Sequence, residues 1–204
     1  MTFTIWLSIV AICVLGAITP GPSLAVVLRH TVNNSRQHGF AAAVFHAGGV
    51  ALWALLTVWG LALLVAQSPV LFNIITWGGA GYLAWLGYKA LTSKGQGVMK
   101  VGDAAPVSYW QAGLDGLMIS LLNPKLALFF IALFSQFVSA DQSLSDQLIM
   151  MATAGGIDGL WYILVALIFS QSAVLTRLQK HGKWVDRITG GILMGLAARV
   201  VTTS

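Results

Sequence analysis

An all-α membrane protein of six transmembrane helices is the fold predicted by three observations. Only 8% of the 204 residues are Asp, Glu, Lys or Arg, against about 25% in soluble domains. Hydrophobic residues make up 57%, mean hydropathy is +0.83, and eight tryptophans are present. The apolar sequence also divides into six runs of roughly the length that spans a bilayer. Together these exclude a soluble enzyme, a disordered chain and a disulfide scaffold. Eleven Lys or Arg face six Asp and no Glu. In a bilayer protein that excess reads as cytoplasmic-loop charge, and not as a nucleic-acid surface. The single cysteine, Cys13, lies in an apolar run and leaves no disulfide or two-thiol chemistry.

The spans, in order, are Phe3 to Leu28, Phe40 to Ala66, Val70 to Leu91, Trp110 to Val138, Leu148 to Ser170 and Trp184 to Val201. Several exceed the ~20 residues a straight helix needs, which predicts tilted or broken helices. Trp6, Trp77, Trp110 and Trp184 fall near span ends, where an indole suits the headgroup boundary. Trp53, Trp59, Trp85 and Trp161 lie deeper, where packing or cavity lining is expected.

Loop charge alternates along the chain. Arg29 and Arg36 follow span one, Lys89, Lys94 and Lys100 follow span three, and Arg177, Lys180, Lys183 and Arg187 surround the last connection. Nine of the eleven basic residues thus share one side, while Asp141 and Asp146 lie on the other. The positive-inside rule places the basic side in the cytoplasm and both termini outside. Met1 to Leu28 has no basic leader and no clear cleavage site, so it is expected to remain as the first helix. The whole chain, 1–204, reads as one transmembrane domain. Ser93 to Ser108 is its longest polar loop.

Similar features recur in the two halves, about 1–95 and 105–204. Pro20-Gly21-Pro22 in span one corresponds to Asn123-Pro124-Lys125 in span four. Gly48-Gly49 with Trp53 corresponds to Gly155-Gly156 with Trp161, and Gly81, Leu83, Leu86 and Lys89 to Gly191, Leu193, Leu196 and Arg199. Separations drift from 102 to 110 residues. Three spans per half is an odd number, so the second half enters the membrane inverted. Inverted repeats suit alternating access to a site at their interface.

Proline removes a helical hydrogen bond and clashes with the preceding turn, so spans one and four should break. Carbonyls freed in hydrocarbon need another partner or a wet cavity, and paired breaks make Pro20, Gly21, Pro22, Asn123, Pro124 and Lys125 candidate substrate-binding residues. Lys125 stands out, because a lysine at a helix centre costs ~2.5–3.5 kcal/mol unless it faces protein or water. It lies ten residues past Asp115, about 15 Å along an ideal helix, beyond the roughly 6 Å reach of its stem. Asp158, among Gly155, Gly156 and Gly159, has three readings: an ion pair with Lys125, a ligand for an ammonium group, or a proton carrier. His46 is either a proton relay or a packed histidine bonded to a backbone carbonyl. Asp115 reads as a carboxylate favoured at a helix N-terminus. Gly155 and Gly159 allow a close helix, and Gly191 with Gly195 marks a packing or dimer face.

No nucleotide-binding Gly-rich loop and no metal-ligand spacing occurs; no cofactor or metal is expected. Ser23 after Gly21-Pro22 has no paired base, which argues against an intramembrane serine protease. The chain resembles the lysine-exporter and homoserine/threonine-efflux family (LysE/RhtB type). The likeness rests on Pro20-Gly21-Pro22, Asn123-Pro124-Lys125, Gly81-Tyr82-Leu83 to Gly87-Tyr88-Lys89, and Trp184-Val185-Asp186-Arg187 leading into Gly190-Gly191. It runs over about residues 3 to 200, with the closer likeness to the homoserine/threonine branch. Asp115 departs from the family's pattern. The resemblance implies no enzyme, but export of small neutral amino acids across a bacterial inner membrane against proton entry. Lys125 would bind the substrate carboxylate, and Asp158 the amine or the proton. The rival readings are a non-transporting membrane subunit and a redox or metal-handling membrane protein; one cysteine and unclustered His30, His38 and His46 weigh against the latter.

Overall fold

Helices begin and stop where proline, glycine and short polar residues interrupt the apolar runs. The computed structural model describes residues 1–19, 21–92, 107–139, 142–168 and part of 184–198. Pro20, Asp141, the loop basic residues Lys94, Lys100, Arg177, Lys180 and Lys183, Arg199, and the continuous course of the sixth span lie outside the described residues.

The elements are α1 (Phe3–Ile18), α2 (Pro22–Asn33), α3 (Arg36–Gln67), α4 (Pro69–Leu91), α5 (Tyr109–Leu121), α6 (Pro124–Phe134) and α7 (Leu144–Ile168). No strand occurs among the described residues. Three stretches, Arg36–Leu64, Val70–Lys89 and Leu144–Ile168, are long and apolar enough to cross a membrane alone. The pair Phe3–Ile18 and Pro22–Asn33 bends by 60°, and the pair Tyr109–Leu121 and Lys125–Phe134 by 55°. Counting each bent pair as one span gives five.

The two breaks share one local design. Each second half opens with proline in its first turn, Pro22 after the N-cap Gly21 and Pro124 after the N-cap Asn123. Proline suits that position because the first helical N–H groups have no intrahelical acceptor anyway. Asn123 Oδ1 accepts from the Lys125 N–H at 3.0 Å, restarting the helix. Side chains bond the carbonyls at the interrupted ends. Thr19 Oγ1 donates to Leu15 O at 2.6 Å, and Trp53 Nε1 donates to Leu121 O at 3.2 Å. Trp53 therefore satisfies the interrupted end of α5, a polar task beyond packing.

Long α3 packs against both α5 and α7. Small residues bring the backbones together: a Cβ on Gly155 would lie 2.8 Å from Ala51 Cβ, and one on Gly159 would lie 3.1 Å from Ala47 Cβ. That is the close helix approach read from the glycine pair. At the other contact, Gly116 meets the Ala42 carbonyl. A Cβ on Gly191 or Gly195 would meet nothing within 4 Å among the described residues; the close crossing with α4 is made by Gly190 against Gly87.

Polarity is inverted relative to a water-soluble bundle. Leu52, Leu56, Leu63, Leu71, Ile74, Leu160 and Leu164 are exposed, while His46, Ser120, Asn123, Asp158 and Ser23 are buried. An apolar belt of this extent needs a lipid neighbour. Trp59 and Trp85, which their sequence positions place deeper, are half exposed on the outer surface. Trp59 Nε1 donates to Gln147 Oε1 at 2.8 Å, and Lys89 Nζ sits 4.4 Å over the Trp85 ring.

Candidate functional site

The two helix breaks line a single cavity. Its walls include Thr19, Gly21, Pro22 and Ser23 from the first break, Asn123 and Lys125 from the second, and Tyr162 from α7; its open space, mouth included, is about 470 Å³. Leu86, Leu126, Phe129 and Leu193 supply an apolar side. Lys125 crosses from one break toward the other, since a methyl added at Gly21 would lie 3.5 Å from Lys125 Nζ. Of the substrate-site residues expected from sequence, Gly21, Pro22, Asn123 and Lys125 come together here. Pro124 opens α6 beside them, and Pro20 lies outside the described residues.

Two features make the cavity favourable for an anion. The N-termini of α2 and α6 both lie at its wall, and each carries about half a positive charge on unpaired N–H groups. The Lys125 ammonium adds a full charge next to them. Ser23 and Asn123 are tied together by Asn123 Nδ2 donating to Ser23 Oγ at 3.5 Å.

Asp158 lies behind that cavity. It lines a second space with Cys13, Ala17, Val50 and Ala154, which shares Gly16, Leu126, Phe129 and Tyr162 with the first. Its ion-pair partner is His46, with Nδ1 2.7 Å from Oδ2. His46 bonds this carboxylate and not a backbone carbonyl. An ionised carboxylate only accepts, so Nδ1 carries the hydrogen when Asp158 is charged. His46 Nε2 is buried without a hydrogen-bond partner among the described residues.

Sequence reasoning missed a third cluster. Asp115 is not in the first turn of α5, so the helix-terminus explanation for it does not hold. Asp115 Oδ2 accepts from Arg29 Nη2 at 2.6 Å and from His30 Nε2 at 3.0 Å, and Oδ1 accepts from Gln111 Nε2 at 2.9 Å. Nearby, Asn34 Oδ1 accepts from Val107 N and His38 Nε2 donates to Val107 O. These contacts seam α2, the turn after it and the start of α3 to α5 and the residues just before it. Spacing within one helix gives no hint of a contact across 86 residues. A double-mutant cycle of Arg29→Ala and Asp115→Ala, read by melting in detergent, is expected to return a coupling of about 1 kcal/mol, the upper range for partly exposed pairs. Strictly additive losses would show that the pair contributes nothing. Ser23 was weighed only as a protease nucleophile, and Tyr162 was passed over. The signals were there: Ser23 follows Pro22 as Lys125 follows Pro124, and Tyr162 lies one turn after Asp158.

An apolar exterior, two broken helices and a polar cavity between their restart points are the construction of a helical membrane transporter. The chain belongs to the LysE type translocator family, whose model matches residues 14–204. Among its relatives, the threonine efflux protein of Salmonella typhimurium is 27% identical over 97% of each chain. The leucine efflux protein of Enterobacter sp. (strain 638) is 32% identical over 91% of this chain and 89% of its own. The uncharacterized membrane protein YrhP of Bacillus subtilis is 26% identical over 95% and 96%. No solved structure matches the chain.

Proposed function

We propose that this protein exports small neutral amino acids in exchange for entering protons. It acts as one domain, 1–204, of six spans in two inverted halves, placed in a bacterial inner membrane with both termini outside. The observation that carries this reading is the convergence of Lys125, Gly21 and the N-termini of α2 and α6 on one cavity. Such a cationic end suits the carboxylate that all amino acids share. Neutral oxygens of Thr19, Ser23, Asn123 and Tyr162 are available to the ammonium group. Leu86, Leu126, Phe129 and Leu193 offer an apolar wall for a short side chain. No carboxylate lines this cavity among the described residues, which disfavours a cationic side chain. The names of relatives, threonine and leucine efflux proteins, agree with neutral substrates.

Asp158, paired with His46 in the adjoining space, is assigned the proton and not the substrate amine. The chain has no nucleotide loop, so a gradient must drive the cycle. Purified protein in liposomes with an acidic interior should accumulate labelled leucine or threonine as protons leave. Absence of uptake across a panel of neutral amino acids would overturn the proposal. In cells, expression should relieve growth arrest caused by feeding dipeptides of the exported residue.

A further inference from the structure

We propose that Phe129, seated on Gly16, is the specificity-determining residue that restricts the substrate to a neutral side chain by closing the Asp158 space to it. The inference rests on the exporter reading above and deepens it, because it names the feature that decides the substrate class.

Two spaces of opposite character lie back to back. Among the described residues, Lys125, Gly21 and Asn123 line only the first, and Asp158, Cys13 and Phe130 line only the second. The wall common to both is Gly16, Leu126, Phe129 and Tyr162. Phe129 is the member that closes it from α6 to α1. It follows Lys125 by one helical turn and so lies on the same face of α6. Its buried ring rests tip-first on the bare backbone of Gly16, where a Cβ would lie 2.7 Å from Cζ and 2.9 Å from Cε1. No side chain larger than hydrogen fits under the ring as it stands, so glycine is what lets the ring reach α1. Phe130 meets the Phe129 ring at 74° with centroids 5.6 Å apart, and stacks in turn on Phe134. The ring is thus held at its tip by α1 and at its side by its own helix.

The consequence for specificity follows from what the ring separates. A substrate held by its carboxylate at Lys125 has its side chain against the apolar wall that Phe129 helps to form. A cationic side chain needs a counter-charge once it leaves water. Asp158, in the adjoining space, is able to supply one: a carboxylate accepts several donors, and the bond from His46 uses one position. With the ring in place, the ammonium of such a side chain stays against apolar groups with no carboxylate in reach. Without the ring the two spaces merge, and a lysine-length side chain gains both room and a counter-charge.

Lysine and methionine have side chains of similar length, so together they separate charge from size. Affinities are read from ligand-dependent melting of the purified protein in detergent. In Phe129→Ala, affinity for lysine relative to leucine is expected to rise at least tenfold, and methionine should gain as well. Adding Asp158→Asn should remove the gain for lysine and leave the gain for methionine. Exchange of labelled lysine and methionine in liposomes without a pH gradient should follow the same order. A folded Phe129→Ala with the wild-type lysine-to-leucine ratio overturns the inference, and so does a lysine gain that survives Asp158→Asn. Loss of all binding in the folded variant overturns it too. Should Phe129→Ala not fold, Phe129→Leu, which leaves a smaller void, decides by the same ratio. Wild-type protein that binds no neutral amino acid would instead sink the exporter reading itself, so the two failures are distinguishable.

Discussion

Lys125→Ala should reduce transport by about two orders of magnitude while insertion, expression and melting stay close to wild type. The ammonium stands beside Gly21 at the meeting of the two breaks. A hydrogen bond to a charged group contributes about 1.5–3 kcal/mol, which corresponds to roughly 10- to 150-fold in affinity. The same ammonium is costly to keep in a membrane, at ~2.5–3.5 kcal/mol where a lysine stands at a helix centre. On the proposed mechanism, removing it is expected to weaken substrate binding more than the fold. Lys125→Arg keeps the charge but replaces a compact ammonium with a wide planar fork, and partial activity is expected. Initial rates in liposomes at several substrate concentrations provide the check. Wild-type rates in Lys125→Ala would remove the carboxylate-binding role.

The second large effect is expected at Asp158. In Asp158→Asn, accumulation driven by an acidic interior should vanish, while exchange without a gradient persists at a reduced rate. Asparagine retains an acceptor for the His46 Nδ1–H, 2.7 Å away in the native pair, but supplies no negative charge. An imidazolium buried without a counter-charge is strongly disfavoured, so on the proposed mechanism the pair would no longer take up and return a proton. Truncation to alanine would be less informative, because leaving one partner of a buried pair alone typically costs about 3–5 kcal/mol and endangers folding. If Asp158→Asn still accumulates substrate against the gradient, proton coupling lies elsewhere.

Several features were legible because they follow from local chemistry. Apolar runs place α3, α4 and α7 within a few residues of their observed bounds. Pro22 and Pro124 mark the restarts of α2 and α6, since proline cannot donate to the preceding turn whatever surrounds it. Lys125 was recognisable as anomalous from the cost of its charge in lipid. Its proximity to Gly21 was foreshadowed by the matching motifs of the two halves.

Other features depend on which helices touch. Asp115 was misread because its contacts with Arg29 and His30 come from α2. His46 and Asp158, 112 residues apart, meet only because Gly155 and Gly159 let α7 settle onto Ala47 and Ala51 of α3. Trp53 acquired its role from the carbonyl of Leu121, on another helix.

By itself, the sequence determined the medium, the helical class, where the helices break and which charges need a reason to be there. Those properties come from transfer free energy and backbone hydrogen bonding, which act residue by residue. Only the tertiary structure decided the partners: Asp158 with His46, Asp115 with Arg29 and His30, and Tyr162 between two cavities. Pairing is set by the approach of helices distant in sequence, and the steric fit of small residues that governs it leaves no periodic trace along the chain.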